Sequence, residues 1–454
     1  MNQQNSNPLL GAIDIGTTKI VALAGRENDT GRFEILGMGT CPSYGVKRGL
    51  VMNIEETVSA IKRAVEDMQT QAGVPLDEVM VGIAGQHVKS MKNSIKTQIN
   101  SADGIVTETD VLRMIQKMYR TQLGAGEQIL HVIPQSYQLD GKDSITDPKG
   151  WFAKEMEAVF QLIVGKINSM ENIKNCVQRA GMDVKRLMLE PLASADAVLS
   201  KREKEMGVAM VDIGGGTTDL AVFQNEVLQH TAVIPLGGNA VTSDIKQAFS
   251  VLQAQAEELK IQYGAALQSK TQKGVVIQVP GLKGREEKNL SLNDLVFVIQ
   301  ERMKEIIYAI KFQIEQSGYA DSLNAGIVIT GGGALLKNLP QLITALTGYD
   351  VILGLPREHI TGNYAEEVNK PMFATSVGLL MRFHMLLNNP KPEWDKNILE
   401  QDIPEEKEEP EVQEKETSGK KARKKKKSSG SFIERIGSKL KSALDEDDDD
   451  LDND

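Results

Sequence analysis

One short pattern occurs twice in this chain. Ala12-Ile-Asp-Ile-Gly-Thr-Thr18 returns as Val211-Asp-Ile-Gly-Gly-Gly-Thr-Thr218, with the two aspartates 198 residues apart. In each copy an apolar run leads into the glycines and another follows them, Ile20 to Ala24 and Leu220 to Phe223. That order reads as strand, tight turn, strand. A single Gly-Thr turn is ordinary structure. Two copies in corresponding settings point to two related half-molecules.

The rest of the chain agrees with such a duplication. At 454 residues it has room for two to four domains, roughly one per 100–200 residues. Short apolar strands alternate with amphipathic helices, the sign of an α/β fold. Over Asn53–Gln71, Ile54, Val58, Ile61, Val65 and Met68 recur every three or four positions, Asn53 and Glu56 form a capping pair, and Gly73 follows. Asn293–Gln316 predicts a second long helix, ended by Gly318. A net charge of −10 excludes a wholly basic nucleic-acid binder. Two cysteines, Cys41 and Cys176, exclude a disulfide framework or a cysteine-rich zinc site. Neither a signal peptide nor a run of eighteen apolar residues is present, so a cytoplasmic chain with at most peripheral membrane contact is expected.

The repeated turns carry chemistry as well as shape. Phosphate oxygens need close backbone N–H groups, which glycine permits, and hydroxyl donors. Gly16, Thr17 and Thr18 form one such set; Gly214, Gly215, Gly216, Thr217 and Thr218 form another, and Lys19 adds charge to the first. Two facing hairpins would grip a polyphosphate from both sides. Asp14 and Asp212 end their strands alike, where carboxylates can hold the water ligands of Mg²⁺. The alternative is two structural turns in a duplicated fold. A third turn, Gly331-Gly-Gly333 before Leu335, follows the apolar strand at Ile327 and could admit a flat ring. Neither a P-loop nor a Rossmann fingerprint is present. The five histidines lack metal-ligand spacing, and His131 lies in an apolar run as a structural residue.

The ordered set DIGTTK, LEPLASADAV, VDIGGGTTDL, AEELK and TGGGALL resembles the actin/Hsp70/sugar-kinase ATPase superfamily across Asp14 to Leu336. That resemblance implies two ribonuclease-H-like halves around an ATP cleft. It implies that Glu257 and Lys260 contact ribose and adenine, and that Glu190, before Pro191, positions an attacking water. Without it, Glu257 and Lys260 read as a surface ion pair and Glu190 as a helix-start acid. Within the superfamily, Leu9–Leu387 resembles the FtsA family of actin-like bacterial division proteins, most tellingly through Ile129-Leu-His-Val-Ile-Pro-Gln135 and Ile145-Thr-Asp-Pro148. The implied layout is subdomain 1A over 1–84 and 166–205, an inserted subdomain 1C over 85–165, and 2A over 206–264. Subdomain 2B follows over 265–322, with the end of 2A and a return helix to 1A over 323–388. Implied partners are the C-terminal peptide of FtsZ, at Lys283, Arg285 and the 293–316 helix in 2B; other copies of the chain; and further division proteins at 1C.

Beyond Asn388 the composition changes. Lys391–Asp454 holds 20 acids and 14 bases in separate blocks, so 389–430 is expected to be a disordered linker. Residues 431–444 place Phe432, Ile433, Ile436, Leu440 and Leu444 on one helical face, with Lys439 at its flank. This is an interfacial amphipathic helix, and the Lys420–Lys427 run beside it would favour anionic lipid. The acidic stretch 445–454 would oppose that lipid or fold back on Lys420–Lys427. Such a helix also distinguishes this reading from a PilM-like pilus-assembly adaptor, which needs none. A small-molecule kinase of the sugar-kinase branch would need a catalytic base that is not identifiable, and a chaperone would need a peptide-binding β-domain. The reading is an ATP- and Mg²⁺-binding, polymerising adaptor with at most slow hydrolysis.

Overall fold

The computed structural model describes residues 7–142, 144–281 and 287–388. Each glycine turn opens a five-stranded sheet. In the first, Leu10–Ile15, Lys19–Glu27 and Phe33–Pro42 form an antiparallel meander, and Glu78–Ile83 and Asp183–Leu189 add in parallel beside the first strand. In the second, Val208–Ile213, Thr218–Gln224 and Val227–Ile234 form the meander, and Ile327–Thr330 and Val351–Leu353 add in parallel. Both run in the spatial order third, second, first, fourth, fifth; the first sheet gains Ile360–Thr361 at its meander edge. The duplicated motif thus heads two ribonuclease-H-like halves of one topology.

The central strands are apolar but for an aspartate near the end of each, because helices cover both faces, and Leu10–Ile15 is buried at every position. Phe33–Pro42 instead alternates, with one face against the Ile54–Ala72 helix. That helix starts where the Asn53 side chain accepts from the Glu56 amide and stops at Gly73, whose φ of 67° needs glycine. It lies so close to the strand that a Cβ on Gly39 would stand 1.8 Å from the Ala64 carbonyl oxygen. The Leu292–Ser317 helix buries Leu295, Ile299, Ile306, Ile310 and Ile314 on the second half and ends at Gly318. Both helices fall within two residues of the ranges read from periodicity.

Between the fourth and fifth strands of the first sheet the chain makes an excursion. Val88–Gln98, Glu127–Leu139, Ser144–Ile145 and Glu155–Lys166 form a separate antiparallel sheet, in the order first, fourth, second, third. The Glu108–Tyr119 helix, capped by Thr107 and Asp110, covers it. Met114, Ile115, Tyr137, Met156, Phe160 and Leu162 give it a core of its own.

Two helices stand where the halves meet, Glu190–Val198 and Ala374–Asn388. A Cβ on Gly378 would lie 1.8 Å from the Ala193 carbonyl oxygen, so glycine sets their spacing. Asp196 joins them to their surroundings through Lys204, at 2.7 Å, and Arg382. Burial pushes the Asp196 carboxyl up, and the two cations more than offset this, leaving it below its ordinary value. Among the described residues no helix is long and apolar enough to cross a membrane.

Candidate functional site

The two glycine turns meet tip to tip. A Cβ on Gly215 would fall 1.8 Å from Thr18 Oγ1, and one on Gly216 would fall 2.6 Å from Thr17 Oγ1. Beside them lies a cavity of about 410 Å³. The first hairpin lines it with Asp14, Gly16, Thr17, Thr18 and Lys19, and the second with Asp212, Gly214, Gly215, Gly216 and Thr217. The Gln253–Tyr263 helix adds Glu257 and Lys260; the third turn adds Gly331, Gly332, Gly333 and Leu335; Glu190 completes the wall. Thr218 does not line it. As the first residue of its strand it points inward, fully buried, and its hydroxyl donates to the Leu236 carbonyl at 2.8 Å.

Besides Glu257, four carboxylates crowd this cavity: Asp14, Glu190, Asp212 and Asp219. Asp219 lies opposite Asp212 across the hairpin and accepts from the Thr217 hydroxyl at 3.0 Å. Burial raises Asp14 to about 6, with Lys19 opposing and Asp212 adding to the rise. Burial, then Asp212, raises Asp219 to about 8. Glu190 stands well above its ordinary value through burial and the charges of Asp14, Asp219 and Asp212. Lys19 shifts the other way: burial lowers it to about 8 against the pull of Asp14 and Asp212. Its Nζ lies 3.8 Å from the centre of the Phe373 ring and has no hydrogen-bond acceptor among the described residues. A buried ammonium without an acceptor, beside hydroxyls and glycine amides, suits an anion; buried carboxylates raised by one another's charge suit a hydrated cation. Among the described residues no group of three or more His, Cys, Asp or Glu is placed to hold a metal by itself.

Glu190 is the first residue of its helix, with Pro191 next, and also faces the cavity, so its two readings coincide. Gly82 makes room, since a Cβ there would lie 2.9 Å from Glu190 Cγ. Glu257 and Lys260 do form an ion pair, at 2.8 Å, within the cavity wall. Lys260 Nζ also donates to Thr242 Oγ1 at 2.8 Å and the Gly238 carbonyl at 3.0 Å, using all three of its hydrogens. His131 is structural: its Nε2 accepts from the Leu189 amide at 3.1 Å, and burial, with Arg382 and Arg186, lowers it to about 3.

Residues 209–378 match the cell division protein FtsA family, residues 85–164 the SHS2 domain inserted in FtsA, and residues 168–228 the Hsp70 protein family. Cell division protein FtsA of Pseudomonas aeruginosa is 37% identical over 381 residues, covering 84% of this chain and 90% of that protein. The Escherichia coli K12 protein of the same name is 35% identical over 389 residues, covering 84% and 91%.

The chain belongs to the FtsA family.

It is thus an actin-like member of a family of cell division proteins. Among solved structures, the PilM–PilN type IV pilus biogenesis complex aligns with a TM-score of 0.60 at 15% identity, covering 82% of this chain and 98% of that one. MreB5 of Spiroplasma citri bound to ADP aligns with a TM-score of 0.53 at 14% identity, covering 84% and 98%. These likenesses establish the actin/Hsp70-like fold. Several residues in the cavity wall of this FtsA-family chain or behind it are not singled out by the sequence: Asp219 and Thr375 line it, and Ser194, Phe373 and Ser376 lie behind. Asp219 was within reach, being one residue beyond the second Thr-Thr pair and facing Asp212. Ser194 lies one helical turn past Glu190, whereas Phe373, Thr375 and Ser376 belong to no repeated pattern and come beside the cleft residues only through the fold. Lys283 and Arg285 lie outside the described residues, as do Phe432, Ile433, Ile436, Lys439, Leu440 and Leu444.

Proposed function

We propose that the cleft binds ATP with Mg²⁺, and that the bound nucleotide sets the closure of the two halves and hence the contacts between copies in a filament. The observation that carries this reading is the pairing of two glycine turns, within van der Waals contact, with the acceptor-free Lys19 ammonium and four crowded carboxylates. Gly16, Gly215 and Gly216 offer backbone amides, and Thr17 and Thr18 offer hydroxyls, to the phosphates, while the Gly214 amide is taken by the Thr217 carbonyl at 2.9 Å and the Thr217 hydroxyl by Asp219. Asp14 and Asp212 hold the waters of the cation, Glu257 faces the ribose, and Gly331–Gly333 with Leu335 flank the base. Glu190 orients water for slow hydrolysis; nucleotide acts mainly as a conformational switch.

In the cell the chain polymerises and attaches FtsZ filaments to the cytoplasmic face of the membrane, recruiting later division proteins through the 85–165 insert. FtsZ would dock by its C-terminal peptide near Lys283, Arg285 and the 292–317 helix, and anionic lipid would hold residues 431–444. Sedimentation with anionic liposomes, FtsZ and ATP tests the adaptor role. The full-length chain should carry FtsZ into the pellet and a chain lacking residues 431–454 should not; FtsZ left in the supernatant by both would refute it.

A further inference from the structure

The carboxylate of Asp212 is held from the side by groups that belong to the other half of the molecule. Ser194 Oγ donates to Asp212 Oδ2 at 2.9 Å, and Thr375 Oγ1 donates to the same oxygen at 3.2 Å. The two hydroxyls are 2.9 Å apart. Ser194 lies on the 190–198 helix and is fully buried; Thr375 is the second residue of the 374–388 helix and is 7% exposed. Asp212, by contrast, is the penultimate residue of the first strand of the second sheet. The residue after Thr375, Ser376, is also fully buried.

The segment leading into this helix touches the remaining turns. The Pro371 carbonyl accepts from the Gly331 amide and from Thr330 Oγ1, each at 3.2 Å, and Phe373 lies under Lys19. The short stretch Pro371–Phe373 therefore meets the first and third glycine turns before it becomes the 374–388 helix, whose Thr375 reaches Asp212 beside the second. Aspartate in a crowd of carboxylates keeps its charge and orientation only if donors fix it. Two donors on Oδ2 leave Oδ1 to the side of Gly331, where a Cβ would come within 2.2 Å of it.

We propose that Ser194 and Thr375 are positioning residues that aim Asp212 at a nucleotide-bound divalent cation, and that this clasp passes the state of the cleft to the 374–388 helix. The proposal rests on the nucleotide reading above and adds to it the residues that register the cation. Because each hydroxyl belongs to a helix of the first half, any shift of Asp212 toward a cation must either draw those helices along or break the bonds. The helix that responds is the one from which residues 389–454 continue.

The affinity of the full-length chain for a fluorescent ATP analogue, measured with Mg²⁺ and with EDTA, tests this. The ratio of the two affinities should fall about tenfold or more in Thr375→Val and in Ser194→Ala, which remove a hydrogen-bond to a charged group, and should recover in Thr375→Ser. A merely structural role would weaken both affinities alike, and an unchanged ratio in Thr375→Val overturns the proposal. Hydrogen exchange on the unaltered chain is independent of how the variants fold. Amides of 374–388 should exchange more slowly with Mg²⁺ and ATP than with ATP and EDTA, and equal exchange overturns the coupling. A wild-type chain that binds no nucleotide under either condition would overturn the reading of the cleft itself, whereas binding with an unmoved ratio overturns only the clasp.

Discussion

At the scale of single residues, the contact between the glycine turns makes the sharpest demand. Gly215→Ala sets a methyl group on Thr18 and must push the turns apart, at a cost of about 1–3 kcal/mol, with loss of nucleotide affinity; denaturant unfolding and nucleotide titration check both parts. Glu190→Gln should reduce any ATP turnover by about 10² or more while nucleotide still binds, measured as phosphate release. His87 yields a test of pH dependence. It is 3% exposed, and burial, then Lys166, lowers it to about 4 from 6.5. The unfolded chain takes up a proton below pH 6.5 and the folded chain does not until about 4, so this residue withdraws stability as pH falls through that window. His87→Leu should therefore gain on the wild type by about 1.4 kcal/mol per pH unit between pH 6 and 5. A constant gap in unfolding free energy would contradict it.

At the scale of elements, helix ends obey their local sequence. Asn53→Ala should cost about 1 kcal/mol, read as a shift in denaturant midpoint, because the Glu56 amide loses its acceptor. Gly39→Ala should cost more than that, since the 54–72 helix must lift from its strand. These elements were legible because a 3.6-residue period, a cap and a stop signal all lie within one stretch of chain. The strand–turn–strand units were legible for a similar reason, with Ile15 opposite Ile20 and Ile213 opposite Thr218 in the two hairpins. A Thr-Thr pair does not reveal where the strand begins, and the Thr218 hydroxyl, expected among the phosphate donors, bonds the Leu236 carbonyl instead. Once pairing starts at Thr218, successive side chains alternate, and only Thr217 faces the cleft.

At the scale of the whole molecule, ATP with Mg²⁺ at a hundred times its dissociation constant should stabilise the chain by about 2.7 kcal/mol. Thermal unfolding with and without ligand measures this, and Lys19→Ala should abolish most of the gain. Removal of the acidic residues 445–454 should strengthen binding to anionic liposomes at low salt, and unaltered binding would refute a role for them in opposing the lipid.

By itself the sequence determined the duplication, the two hairpins, the long helices and nearly every cavity residue carried by a glycine turn. Each of these depends on residues adjacent in the chain, where backbone geometry and periodicity leave few choices. Only the tertiary structure decided what lies between the turns: that Lys19 rests on Phe373, that Asp219 joins Asp14, Glu190 and Asp212, and that Ser194 and Thr375 hold Asp212 across the halves. Those contacts join residues up to 354 positions apart, as Lys19 and Phe373 are. No local pattern encodes them, because their energy comes from burial and charge that exist only once both sheets and the two helices between them have packed.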